Sequence, residues 1–291
     1  MVYNVATENN KIYDQLDTLT FMAGNISTEG VGSFINKISS FFASKIAYVR
    51  EAVSMSANIL NRVDNDINIY AQELKKSKKD MLYIVNNLSY TLLENARVMT
   101  PVGLDTDLLE ACKELKDGLK IFNTDVLRCL EELDMYVSQV LNDKEFRTQT
   151  KPQKPEKDPA NYATRIHSIL NKCVSTKNVE DTKLIKEILP NISSLQKVYE
   201  QLMELASASH VNILKQINEY IGSIEAKVAI LEKDLTTDME ISKVVLKKLV
   251  EDLESNARLV TTSVNMMYFY NQLVLCVNNI IKKFKNMKDV R

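Results

Sequence analysis

The feature that most restricts how this chain can fold is one apolar period sustained from Val31 to Leu74. Val31, Ile35, Ile38, Phe42, Ile46, Val49, Val53, Ser56, Leu60, Val63, Ile67, Tyr70 and Leu74 follow one another at steps of three or four. That spacing draws a single stripe along one side of an α-helix, close to a coiled-coil seam. After Gly32 neither Gly nor Pro intervenes before Pro101, and the stripe resumes at Met81, Ile84, Leu88 and Leu92 beyond the basic patch KKSKK at 75–79. Unbroken, such a helix would be roughly 100 Å long at about 1.5 Å per residue. A break near Ser77 or Asp80, either of which can cap a new helix, is the equal alternative.

The same period recurs downstream. TPVGLDTD at 100–107 reads as a turn, and Leu108, Cys112, Leu115, Leu119, Phe122, Val126, Cys129, Leu133, Val137 and Val140 form the next stripe, with charges such as Glu110, Lys113 and Asp117 mainly off it. A helix packed into a bundle fits this pattern and a strand does not. Tyr162, Ile166, Ile169, Leu170 and Cys173 predict a short helix. Ile188, Ile192, Leu195, Tyr199, Leu202, Ala206, Ile213, Ile217, Tyr220, Ile224, Leu231 and Leu235 then keep helical phase, with Pro190 either starting or kinking that run. Thr237 with Glu240 matches a capping box and places a turn at about 234–238. The last helix carries Leu246, Leu249, Leu253, Ala257, Val260, Val264, Met267, Val274, Val277, Ile281 and Phe284, and ends among Lys282, Lys283, Lys285 and Lys288. Residues 4–22 show a weaker helical pattern, followed by a Gly-containing loop.

Only 6 Gly and 5 Pro occur in 291 residues, too few to turn a many-stranded sheet. The expected fold is therefore all-α, an elongated bundle of long antiparallel helices with coiled-coil-like packing. The composition changes sharply at 146–160, FRTQTKPQKPEKDPA, which reads as a Pro/Lys-rich linker or crossover. It separates a long helical hairpin region at 1–145 from a second at 161–291, with one continuous bundle as the other arrangement.

Chemistry is scarce. The two histidines, His167 and His210, have no His or Cys at helical ligand spacing. Cys112, Cys129, Cys173 and Cys276 are far apart and form no CxxC pair, which suits free, buried thiols in a reducing compartment. No GxSxG elbow, GxxxxGK loop or ExxH pair is present. No enzymatic activity and no cofactor or metal is expected. The formal net charge is -1, and KKSKK and the C-terminal lysines each read as a solvated helix face or a complement to a helix dipole. Nucleic acid is not an expected partner on that basis, nor is any small-molecule substrate. The opening MVYNVATENNKIYDQ has neither a basic leader nor an apolar run, so no secretion signal is expected. A cytoplasmic protein, or one assembled in a particle, is the expectation.

One stretch stands apart. Leu259 to Ile281 contains no Asp, Glu, Lys or Arg over 23 residues, in a chain with 26% charged residues. A bilayer span needs about 20 residues. Against that, Asn265, Gln272 and Asn279 recur every seven residues with Thr261 on one helical edge, with Asn271 and Asn278 beside it. Lipid on all sides would leave those amides unpaired. Met266, Tyr270, Leu273 and Val277 lie on the opposite face. These seven residues, Asn265, Gln272, Asn279, Met266, Tyr270, Leu273 and Val277, form a candidate helix-contact seam that favours burial among other helices over membrane contact.

Long helical hairpins with one unusually apolar segment at 259–281 resemble the alpha-helical pore-forming cytolysins in outline. That resemblance implies one alternative, a soluble membrane-active protein that exposes 259–281 on triggering. The leading expectation is a non-enzymatic structural or assembly protein, an elongated subunit of a larger complex such as a viral particle, with a protein partner or self-association. A cytoplasmic coiled-coil adaptor is the third reading.

Overall fold

A computed structural model describes residues 31–122, 126–149, 157–175, 180–208, 210–234 and 241–285. The expected helix at 4–22, the loop after it and the Thr237/Glu240 cap lie outside these residues. Eleven helices and two short strands are described: α1 (Val31–Lys76), α2 (Lys78–Asn87), α3 (Tyr90–Leu93), β1 (Arg97–Met99), α4 (Leu108–Ile121), α5 (Leu127–Asn142), α6 (Lys144–Thr148), α7 (Pro159–Cys173), β2 (Thr182–Leu184), α8 (Ile185–Ile188), α9 (Ile192–Ala208), α10 (His210–Asp234) and α11 (Lys243–Lys285). The chain is all-α in class, as its apolar period predicts.

The stripe of α1 is the buried face. From Ile46 to Leu74 each of its positions is buried except Tyr70, which is half-buried. The expected break falls at Ser77 and is a bend more than a stop. Ser77 N donates to Glu73 O at 3.0 Å and Met81 N to Ser77 O at 2.9 Å, so the helical ladder continues through the joint. The stripe ends sooner than its spacing predicts. Met81 and Ile84 are buried, but Leu88 is extended backbone and Leu92 is 54% exposed. Beyond them β1 pairs antiparallel with β2, Val98 opposite Lys183. This small sheet has no counterpart in the sequence pattern, because strands of three residues are too short to show a period of two.

All ten stripe positions from Leu108 to Val140 are buried, across α4 and α5. The caps are local and legible. Asp107 accepts from Leu109 N and Glu110 N, Asp158 precedes Pro159 at the first turn of α7, and Asn191 caps α9 directly after Pro190. Each such cap stabilises by about 1 kcal/mol. Gly103 adopts a φ of 75°, a left-handed conformation that favours glycine, and so lets the 100–107 turn close. At the start of α11 the capping oxygen is Ser242 Oγ, which accepts from Val245 N at 3.2 Å.

Side-chain contacts fix the direction of each rod. Lys45 Nζ bonds Glu254, Ser56 meets Thr261, Asn278 Nδ2 donates to Tyr70 O, and Lys282 bonds Glu73, at sequence separations of 209, 205, 208 and 209. A constant separation means that α1 and α11 run parallel, in register, for about 40 Å. The α4 to α5 run descends the other way, with Gly118 against Met266 and Tyr136 against Val245. So do α9 and α10, with Tyr199 near Leu74, Leu202 near Tyr270 and Tyr220 near Asn256. Between them α7 runs antiparallel to α4, with Lys172 against Glu114 and Ile169 near Gly118, so consecutive rods alternate while α1, α7 and α11 point together.

The last helix is the axis. It packs against α1, α2, α4, α5, α7, α9, α10 and β1. One apolar core contains residues from both sides of 146–160, whose described parts include buried Phe146, stacked edge-on to Tyr136 at 5.4 Å, and buried Pro159.

Candidate interaction surface

Within α11 the polar residues divide into two sets one residue apart. A step of one turns the helix by about 100°, enough to exchange core for surface. Asn256, Asn271 and Asn278 face inward and are no more than 2% exposed. Asn278 Nδ2 donates to Tyr70 O at 2.9 Å, and Asn256 Oδ1 accepts from Tyr220 Oη. Thr261, Thr262 and Ser263 donate to carbonyls one turn back, at Ala257, Arg258 and Leu259, which satisfies three buried hydroxyls without a second helix. Asn271 Oδ1 is buried with no hydrogen-bond partner.

The proposed seam is split in the same way. Met266, Tyr270, Leu273 and Val277 are at most 1% exposed and face other rods. A Cβ on Gly118 would stand 2.7 Å from Met266 Sδ, so α4 approaches most closely there because it carries no side chain. Tyr270 Oη donates to Leu202 O on α9 at 3.4 Å, and burial raises its pKa. On the other edge Asn265 is 5% exposed, while Gln272 and Asn279 are half-buried. Arg258, Tyr268 and Leu275 are half-buried along the same edge. Of the amides spaced by seven, Gln272 and Asn279 therefore lie nearest the surface, while Asn265 is buried. Exposed Ile69 on α1 adds an apolar flank close by, since Asp66, one turn earlier, lies near Tyr268.

Lys45 Nζ and Glu254 Oε1 meet at 2.6 Å with side chains 3% and 14% exposed, a nearly dry ion pair between α1 and α11. No sequence signal identifies it, because the two residues are 209 apart. A groove of about 260 Å³ between α1 and α10 is lined by Arg50, Val53, Ser54, Ile224, Glu225, Val228 and Ala229. It brings together one guanidinium, one carboxylate and one hydroxyl.

The four thiols sit where they are shielded from solvent. All four cysteines are buried and free. Burial pushes the Cys173 and Cys276 thiols from 9.0 up to about 12, and raises Cys112, whose neighbours include both of them. A protonated, inaccessible thiol is a poor nucleophile. Burial, and then Arg258, hold His167 below its ordinary pKa, and its Nε2 meets Asn171 Nδ2 at 2.9 Å. Among the described residues no group of three or more His, Cys, Asp or Glu could hold a metal ion. Among them also, no helix is long and apolar enough to cross a membrane.

These features define a class by architecture: an elongated all-α bundle organised around a single buried axial helix. Comparison with protein-family models, with curated proteins and with solved structures finds no match to this chain.

Proposed function

We propose that this protein is a non-enzymatic structural or assembly component, an elongated helical subunit that contacts a protein partner or a second copy along the outward edge of α11. The observation that carries this reading is the arrangement of that edge. The axial helix is enclosed by its own chain on most sides, yet Arg258, Tyr268, Gln272, Leu275 and Asn279 stay half-buried in line over 21 residues, about 32 Å. A row of amides and apolar groups, flanked by exposed Ile69, offers hydrogen bonds in fixed register as well as apolar area. The parallel rods around it form a rigid support suited to spanning distance, with a viral particle as one setting for such a subunit.

Mass in solution by light scattering tests the proposal. Self-association, or a stoichiometric partner recovered from the source, is expected, and replacing Gln272 and Asn279 by Lys should dissolve the contact. A monomer with no partner would overturn it. The membrane-active alternative has less support. Met266, Tyr270, Leu273 and Val277 already pack against the chain's own helices, so exposing 259–281 would dismantle the core. Leakage of dye from liposomes is the result that would favour it.

A further inference from the structure

The two lysine groups that stand some two hundred residues apart in sequence meet at one end of the bundle. Lys282 Nζ bonds Glu73 at 2.8 Å and Lys285 Nζ bonds Asp80 at 2.9 Å, which sets the C-terminal end of α11 beside the joint between α1 and α2. Glu73 and Asp80 flank Lys76 at helical steps of three and four, so Lys75, Lys76, Lys78, Lys79, Lys282, Lys283 and Lys285 share one end. All seven are exposed. Their neighbouring carboxylates, Glu73 and Asp80, are both occupied by lysines of α11, and Lys75, Lys76, Lys78 and Lys79 form no ion pair among the described residues. Lys283 Nζ donates to Arg97 O at 2.6 Å, which brings strand β1, with the exposed Arg97, to the rim of the same cluster.

Two ordinary explanations for these lysines are weaker in three dimensions than in sequence. Complementing a helix C-terminus suits Lys282, Lys283 and Lys285, but not the patch at 75–79, because the ladder runs on through Ser77. Leu74 O there accepts from Ser77 N, Ser77 Oγ and Tyr199 Oη. Ion pairing on a helix face does not apply either, since Lys75 and Lys79 are like charges one turn apart and repel. Each group alone reads as a solvated face; the fold adds them into one field. We infer that this end binds the phosphate backbone of nucleic acid without sequence preference. Its core is the Lys75, Lys76, Lys78 and Lys79 row, with Lys283 and Arg97 at its edge.

Nucleic acid fits better than a lipid surface. The exposed residues next to the row along α2 are Asn86 and Asn87, which can hydrogen-bond phosphate or base edges but cannot enter a bilayer. Of the apolar residues of α2 that a lipid anchor would need, Met81 and Ile84 are turned into the core and Leu82 and Val85 are half-buried against it. This inference stands apart from the assembly role proposed above and is tested on the isolated protein.

Fluorescence anisotropy with a short labelled DNA duplex should show binding at about 50 mM salt. Affinity should fall about 100-fold by about 200 mM, the dependence expected when about four counterions are released. Lys75→Gln, Lys76→Gln, Lys78→Gln and Lys79→Gln together should weaken binding at least tenfold while leaving the thermal midpoint unchanged or raised. An equal charge change elsewhere, at Arg128, Lys144, Lys215 and Lys247, should leave binding within twofold. No binding at the lower salt overturns the inference. So does equal weakening by both sets of substitutions, or capture of the protein by phosphatidylserine vesicles without duplex binding.

Discussion

Glu254 is the residue whose loss should cost most for the least change in shape. It accepts from Lys45 Nζ at 2.6 Å, and the lysine side chain is 3% exposed. Glu254→Gln takes away the carboxylate that meets that ammonium in the interior, a loss of up to about 3–5 kcal/mol. Urea unfolding at pH 7 measures it. The double change Lys45→Met with Glu254→Leu should recover most of the loss, since it removes both charges. The thiols give a pH dependence with a definite sign. Cys173 and Cys276 ionise near 9.0 when unfolded and only near 12 when folded. Between those values the folded state holds more protons, so stability is full below about pH 9 and is lost as pH rises toward 12. The slope approaches about 2.7 kcal/mol per pH unit for two groups. Cys173→Ala with Cys276→Ala should flatten that part of the curve in unfolding measurements between about pH 8 and 11.

At the scale of elements, two glycines on long helices call for opposite treatment. A Cβ added to Gly222, on the exposed side of α10, would meet nothing within 4 Å. Gly222→Ala should therefore stabilise by about 1 kcal/mol through helix propensity alone. Gly118 on α4 has the same propensity to gain, yet its Cβ would meet Met266 Sδ at 2.7 Å in a packed core. Overpacking costs about 1–3 kcal/mol, so Gly118→Ala should show no gain, and Gly118→Val a clear loss, in thermal denaturation. Periodicity locates both helices, but it does not say which glycine is a contact point. That depends on which rod lies opposite.

Across the whole molecule, the axial helix ties the two halves of the chain together, because α1 lies along it in register from Lys45 to Glu73. Opening any stretch of 257–281 exposes the shared core, so its amides should exchange with solvent only through global unfolding. The β1 and β2 pairing, three residues long and half exposed, should exchange far sooner. Hydrogen exchange read by mass spectrometry distinguishes these, and exchange in 257–281 faster than in α4 would refute the axial role. Cooperative loss of α1 and α11 in one urea transition is the matching expectation.

The sequence by itself determined the helices and their inner faces. Apart from half-buried Tyr70 and Leu246, the stripes from Ile46 to Leu74, Leu108 to Val140 and Leu246 to Phe284 are buried at the positions their spacing selects, because a step of three or four residues is a property of one helix and needs no partner. The caps at Asp107, Asp158 and Asn191 bond backbone amides two or three residues on and are local in the same way. Other features depend on contacts between residues far apart in the chain. Spacing by seven singled out Asn265, Gln272 and Asn279, but only the surrounding rods decided that Gln272 and Asn279 come near the surface while Asn265, Asn271 and Asn278 are buried. The parallel register of α1 and α11, the Lys45 to Glu254 pair and the union of two lysine groups at one end were likewise set by tertiary packing. Each joins residues about two hundred positions apart, and a periodic pattern has no term that relates one helix to another.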